Sequence, residues 1–441
     1  MERAGSRLLL AALMAAGAMV PGGRVCASPA LHWHPNTGIA LAPGEKGPWR
    51  QNDSRYDYVD DATVAFDGGD GLAVAWVDQK RKDILFQRIA AADGRSGGAA
   101  INVSRSPGTF SWQPRVAVPR GRPGTLYVLW QEIIFSGGSH GGDILFARSG
   151  DGGMQFSEPL NLSRSRGGDG KGRLSRTAWS NGSHDLAVAA NGDVLVAWTE
   201  YHGALWFTRS RDGGASFTAP RRVAGDEARP ARAPALATGP DGAVHLAWTV
   251  GEDPAADIHL AHSHDGGTSF GPVRRVAAGP GHADAPRLAV DGKGDLHLVY
   301  AETPVGGHSE IRHARAKGGT GPFSAPRTIS AAGQGTGGAA YPGIGTDGGR
   351  KLYVIWEVLG ADAGRPVSLR IAVSTDGGQH FSRPEPVPGS AAAPGARNGS
   401  HQGLLGKKLA VDGAGRVAVV NSSMLPGVSS RVWLMRGRPV R

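Results

Sequence analysis

Along most of the chain apolar and polar residues alternate, with the alternation broken every few residues by glycine. In PRLAVDGKGDLHLVY (286–300) one alternating run, LAV, meets an Asp-Gly turn, and a second run, LHLVY, leaves it. Alternation with period two, closed by a Gly-rich turn, predicts a β-hairpin. The same unit reads ATVAFDGGDGLAVAW (62–76), PRVAVPRGRPGTLYVLW (114–130), HDLAVAANGDVLVAW (184–198), PALATGPDGAVHLAW (234–248), PGIGTDGGRKLYVIW (342–356) and KLAVDGAGRVAVV (408–420). A third run follows each, as in DILFARS (143–149) or DIHLAHS (257–263), and then a short fourth such as EPLNLS or APRRVA. No 3.6-residue apolar stripe of helical length occurs after the first 27 residues, which disfavours an α/β fold.

Seven copies of a four-strand unit predict an all-β chain, a β-propeller of four-stranded antiparallel blades, with six blades as the alternative. The unit spacing varies, from 50 residues between Trp198 and Trp248 to 68 between Trp130 and Trp198, as expected when loops of different length join fixed blades. The seventh unit stops after its third strand. TGIALAP (37–43) could supply the missing outer strand and cover an open edge.

The N-terminus reads differently. Arg3 and Arg7 precede the apolar run LLLAALMAAGAMV (8–20), and Val25-Cys26-Ala27 ends in small residues. This predicts a signal peptide over 1–27, a propeller over 28–441, and a secreted or periplasmic location, with no stable membrane span after cleavage. The only cysteine, Cys26, would leave with it, so no disulfide or thiolate chemistry is expected. The formal charge of +10 is scattered and only nine of the 48 basic residues are lysine. The arginine bias reads as a property of the genome. No nucleic-acid motif accompanies the charge, so a glycan or other anionic ligand is the expected partner, and nucleic acid is not.

Four phrases recur between third and fourth strands: SGDGGMQF (149–156), SRDGGASF (210–217), SHDGGTSF (263–270) and STDGGQHF (374–381). Their aspartates, Asp151, Asp212, Asp265 and Asp376, are read as structural. Asp accepts amide hydrogen bonds within a turn, and the glycines allow backbone angles that a Cβ opposes. A calcium loop would need more carboxylates than one per phrase. The fifth unit has Lys317 in place of the aspartate, and the first has only Asp93-Gly94.

On these phrases the chain resembles the sialidase superfamily, whose Asp-box (BNR repeat) reads S/T-x-D-x-G-x-x-W/F. The resemblance extends over residues 59–441 through the repeat. It implies an exo-α-sialidase-like glycoside hydrolase acting on terminal acidic sugars, with arginines on the sugar carboxylate, a tyrosine nucleophile paired with a glutamate, and an aspartate acid/base. On this chain it implies Tyr341 as nucleophile, Glu302 as partner with Glu357 as the alternative, and Asp61 as acid/base. The family's Arg-Ile-Pro phrase is absent; the arginines nearest the start are Arg50 and Arg55.

Propeller topology places a site where the first strands of the hairpins converge. Residues leading into those strands share a face with residues leaving the second strands. The first set includes Asp60, Asp61, Trp112, Gln113, Arg115, His184, Asp185, Asp284, Arg287, Tyr341 and Lys408; the second has Asp78, Glu132, Glu200, Glu302 and Glu357. Arg115, Arg287, Trp112 and His184 are the expected ligand contacts. Arg115 and Arg287 hold one repeat position, shared with Asp185 and Lys408, and a position charged in four copies is expected to face the entrance. NGSH occurs at 181–184 and 398–401; a metal needs three or more convergent ligands, only His184, His401 and His282 qualify by position, and neither metal nor cofactor is expected. Three functions stay open: a hydrolase, a glycan- or anion-binding propeller, and a protein-interaction scaffold.

Overall fold

The computed structural model describes residues 30–440, apart from 70, 91, 107, 137–138, 165–183, 201–202, 252–255, 278–279, 331–335, 362–364 and 399–405. The segment read as a signal peptide, and His401, lie outside the described residues. Among the described residues no helix is long and apolar enough to cross a membrane.

The chain forms a seven-bladed β-propeller of antiparallel four-stranded blades. Blade 1 comprises Val59–Phe66, Gly71–Asp78, Asp83–Ala90 and Ile101–Asn102. Blade 2 comprises Phe110–Ala117, Leu126–Ser136, Ser139–Ser149 and Leu160–Asn161, and blade 3 His184–Val188, Val194–Thr199, Leu205–Ser210 and Arg221–Ala224. Blade 4 comprises Ala231–Thr238, Val244–Val250, Asp257–Ser263 and Arg274–Ala277, and blade 5 His282–Val290, Leu296–Thr303, Glu310–Ala316 and Arg327–Thr328. Blade 6 comprises Thr336–Thr346, Leu352–Gly360, Pro366–Ser374 and Glu385–Pro386. Blade 7 comprises Leu409–Val411, Val417–Leu425 and Ser429–Pro439, and takes its outer strand from the other end of the chain: Thr37–Ala42 pairs antiparallel with Ser429–Pro439. Leu31–Trp33 pairs further along the same edge. That exchange leaves no unpaired edge on blade 7 and ties the ring shut.

The first strands touch one another in a closed cycle, so they form the axis. Apolar side chains do not gather at one centre. They form slabs between successive blades, such as Trp130–Phe86–Val77 between blades 1 and 2 and Trp248–Phe207–Leu236 between blades 3 and 4. Trp76, Trp130, Trp198, Trp248 and Trp356 are all at most 2% exposed, which explains why the second strand of the repeat so often ends on tryptophan.

The Asp-Gly-Gly phrases lie on the face where first strands turn into second strands. In each, the serine hydroxyl donates to aspartate Oδ1, as Ser263 does to Asp265 at 2.8 Å, and accepts the amide of the second glycine, Gly267, at 2.7 Å. The phrase also grips the preceding blade. Phe156 meets Phe86, Phe217 meets Phe146, Phe270 meets Phe207 and Phe381 meets His313, all edge-to-face at 4.9–5.2 Å. The second glycine lies flat on the same ring: a Cβ at Gly267, whose φ is +87°, would stand 2.4 Å from Phe207 Cζ. Arginines close the joint, Arg209 donating to the Asp265 and Gly266 carbonyls at 2.9 and 2.7 Å and Arg274 to the Thr320 carbonyl at 2.7 Å. Part of the arginine bias therefore has a structural use, as planar multi-donor groups that staple one blade to the next. In blade 5, where Lys317 replaces the aspartate, Asp295 accepts the Gly318 amide at 2.7 Å instead.

Candidate functional site

At the opposite face the inner strands depart from regularity. The pairing of first with second strand skips between Asp60 and Thr63, Trp112 and Arg115, Arg232 and Ala235, Asp284 and Arg287, and Ala340 and Gly343. At each skip one non-glycine residue takes positive φ: Asp61 (52°), Gln113 (58°), Ala233 (48°), Ala285 (55°) and Tyr341 (53°). Four of the five precede proline, which denies them ordinary helical backbone. A bulge with a left-handed residue re-aims a side chain, and it costs energy that neighbouring structure must repay. The five residues share one repeat position around the axis. They divide it chemically: Tyr341 packs on Ala233 and Ala285 to give an apolar arc, while Asp61 and Gln113 are polar.

Asp61 is 5% exposed, and neither carboxylate oxygen has a hydrogen-bond partner among the described residues. Burial and then the neighbouring Asp60 push its carboxyl well above the usual carboxylate range; Arg115, the Gln113 amide and Lys408 oppose this without cancelling it. Asp60 is fixed from behind: Gln79 Nε2 donates to it at 3.1 Å, and Trp112 Nε1 donates to Gln79 Oε1 at 3.2 Å. His184, 1% exposed, places Nε2 2.8 Å from the Gln113 carbonyl oxygen. A carbonyl only accepts, so Nε2 carries the proton and Nδ1 is a bare acceptor, again with no partner among the described residues. Burial and the Arg115 charge lower its pKa to about 3, so the ring is neutral.

Below this level lies a layer of buried charge. Asp185 accepts from Lys407 Nζ at 2.7 Å, from the Leu186 amide at 2.9 Å and from the Leu236 amide at 2.8 Å. Burial alone would raise its pKa, but the charges of Lys407 and Arg287 and the Leu236 amide bring it below the ordinary value. Arg115 and Arg287 are 2% and 8% exposed. Burial, then the Arg287 charge, lowers the Arg115 pKa to about 10, while Asp185 and Asp61 work the other way. Lys408 pairs with Glu357, a residue with no exposure, and Asn421 Nδ2 donates to the same carboxylate at 3.3 Å. Arg232 Nη1 stands 3.3 Å from Asp284 Oδ2, while its Nη2 is buried without a partner among the described residues.

The structure brings Asp61, Tyr341, His184, Arg115 and Arg287 to the axis. It takes two expected residues elsewhere. Glu302 does not pair with Tyr341; it receives Arg312 Nε at 2.5 Å, and Arg312 also bonds Thr328 on the outermost strand. Trp112, 3% exposed, packs in the slab between blades 1 and 2 and reaches the site through Gln79. Two more of the acidic strand exits are engaged locally as well. Glu132 accepts from Ser106 and Thr109 at 2.6 and 2.7 Å, and Asp78 caps the amides of Lys80 and Arg81, both at 3.1 Å. Among the described residues no three His, Cys, Asp or Glu side chains converge as metal ligands. Sequence reading passed over Lys407, Arg232 and Gln79. It also gave no weight to the X-Pro pairs at 113–114, 233–234, 285–286 and 341–342, which mark the bulges.

No protein-family model matches this chain, and no curated protein matches it significantly. Solved structures do. Polysaccharide lyase Uly1 aligns with 90% of this chain and 92% of its own at 12% identity and a TM-score of 0.53. A PL25 ulvan lyase bound to -[GlcA(1-4)Rha3S]- covers 90% and 95% at 11% identity and 0.52. Hadza microbial sialidase Hz136 covers 69% and 66% at 12% identity and 0.45. At these identities the likeness to the two lyases shows the fold alone.

Proposed function

We propose that this is an extracytoplasmic carbohydrate-active propeller that cleaves an acidic glycan at the axial mouth, with Asp61 as proton donor. The observation that carries the reading is Asp61 itself: a buried carboxyl beside a second carboxyl, held in a strained backbone conformation, with neither oxygen closely hydrogen-bonded among the described residues. Glycosidic cleavage needs an acid that still holds its proton near neutral pH, and burial beside Asp60 shifts the Asp61 carboxyl in that direction. In hydrolysis the leaving sugar's oxygen takes the Asp61 proton as its bond breaks, water adds to the sugar carbon left behind, and the proton that this water gives up returns to Asp61, whose negative charge the neighbouring Asp60 opposes. Lys407, Arg115 and Arg287 gather around Asp185, with Asp61 and Asp284 also acting on the two arginines, and this group of cations at the floor suits a sugar acid. The apolar arc of Tyr341, Ala233 and Ala285 suits the non-polar face of a sugar ring.

The sialidase-specific form has less support, since Glu302 is engaged by Arg312 and does not activate Tyr341. The ulvan lyase bound to -[GlcA(1-4)Rha3S]- guides the choice of substrates to test. The experiment is a panel of uronate- and sialate-containing glycans incubated with the wild type and with Asp61→Asn, products being followed by mass spectrometry. The expected result is cleavage of an acidic glycan that falls about 10²–10⁴-fold in Asp61→Asn, with the melting temperature maintained. Equal turnover by the variant would remove Asp61 from the chemistry. Binding of an acidic glycan by the wild type with no cleavage would favour a binding propeller built on the same cationic floor.

A further inference from the structure

On the face opposite the mouth, blades 2 and 3 leave a groove of about 590 Å³. Its walls include Arg122, Thr125, Tyr127 and Arg148. Tyr127 has no exposure, yet its hydroxyl has no hydrogen-bond partner among the described residues. A buried hydroxyl left unsatisfied costs stability, so its retention calls for a partner from outside. Two donors point to one spot. A methyl group built on Gly213 would lie 3.5 Å from Tyr127 Oη and 3.8 Å from Arg122 Nη1. Arg122 makes no ion pair or side-chain hydrogen bond with a described residue; Arg148 spends one nitrogen on the Gly213 carbonyl, at 3.3 Å.

Two carboxylates also border the groove, and both are turned to their own loops. Asp212 accepts from Ser210, Ser216 and the amides of 215 and 216. Asp151 accepts from Ser149 and the Gln155 amide. The matching groove between blades 6 and 7 shows what is special here. There Tyr353 is just as buried and its hydroxyl equally unpartnered, but Asp347 and Asp412 are the charges acting on it, where Arg122 and Arg148 act on Tyr127.

We propose that the groove between blades 2 and 3 is a second binding site, for an anionic group of the sulfate or carboxylate type, held by Arg122, the Tyr127 hydroxyl and the free edge of Arg148. It is independent of the chemistry at the mouth, and on an acidic polymer it would anchor chain that passes around the rim.

The test is thermal stability and calorimetric titration of the full chain with sodium sulfate and, separately, sodium glucuronate, each against sodium chloride at equal ionic strength. The wild type, Arg122→Gln, Tyr127→Phe and Tyr353→Phe are compared. The expected result is specific stabilisation of the wild type by one or both probes, binding at least tenfold weaker in Arg122→Gln and Tyr127→Phe, and no change in Tyr353→Phe. Tyr127→Phe without anion should melt no lower than the wild type, because it removes an unsatisfied group. Which probe binds identifies the anionic group. No response of the wild type beyond chloride, or equal responses from both groove variants, would overturn the proposal, whatever Asp61 does at the mouth.

Discussion

The two faces of the ring are built from the same repeat and treat polar groups in opposite ways. On the Asp-Gly-Gly face the boxed aspartates, serines and amides satisfy one another, and the next blade supplies a ring for each phenylalanine. At the mouth the repeat breaks down residue by residue. Asp61, His184 Nδ1 and Arg232 Nη2 are buried polar groups with no partner among the described residues. Within the boxes hydrogen bonds go to stability, although the Tyr127 and Tyr353 hydroxyls beside them have no partner among the described residues; at the mouth it is charged and titratable groups that are left so. The difference teaches that in a repeat protein the phrase that recurs is scaffold, and the position where each copy differs is where a ligand acts.

The sharpest break in that comparison should come from Lys408. Lys408→Ala leaves Glu357 charged and wholly buried, so unfolding should become easier by about 3–5 kcal/mol. An unchanged denaturation midpoint would mean that the axial charges are not structurally coupled. Next is Gly267→Ala, which forces a Cβ into Phe207 at positive φ. It should cost about 2–3 kcal/mol while any glycan turnover at the mouth persists. A loss of turnover without a loss of stability would reverse the roles assigned to the two faces.

A pH effect of similar size follows from histidines that burial keeps neutral. His245 and His262 are lowered to about 4, and His313 to about 3. An unfolded histidine takes up its proton near pH 6.5, whereas these resist until about pH 4. The stability they contribute is thus present above pH 6.5 and lost as pH falls from there, by about 1.4 kcal/mol per group and pH unit at most. Urea midpoints at several pH values would show the slope. His313→Phe should flatten it, since Phe86, Phe146 and Phe207 serve the same place against the other boxes. The smallest effect is expected for Asp265→Ala. This carboxylate lies in solvent at the tip of its turn, so its loss should lower the melting temperature by no more than a few degrees, with ligand binding intact.

Much of the fold could be read from the chain because it depends on local, repeated rules. LAV-turn-LHLVY specifies a hairpin wherever it occurs, and TGIALAP had one open edge to fill. The site was legible only in part. Asp61, Arg115, His184, Arg287 and Tyr341 could be placed because they occupy fixed repeat positions. Glu302 and Trp112 occupy such positions too, but what a side chain does there depends on partners distant in sequence: Arg312 for one and Gln79 for the other. The Phe-on-ring joints between blades were hidden for the same reason, since each links residues 63 to 71 positions apart.

The central claim is that Asp61 holds a proton at neutral pH in a mouth prepared for catalysis. The direct measurement is a carboxyl titration of the whole protein by ¹³C NMR with labelled aspartate, using Asp61→Asn to assign the signal. The account predicts an Asp61 carboxyl that titrates far above the usual carboxylate range, with an Asp60 response coupled to it. An Asp61 that ionises at an ordinary aspartate pKa would contradict it.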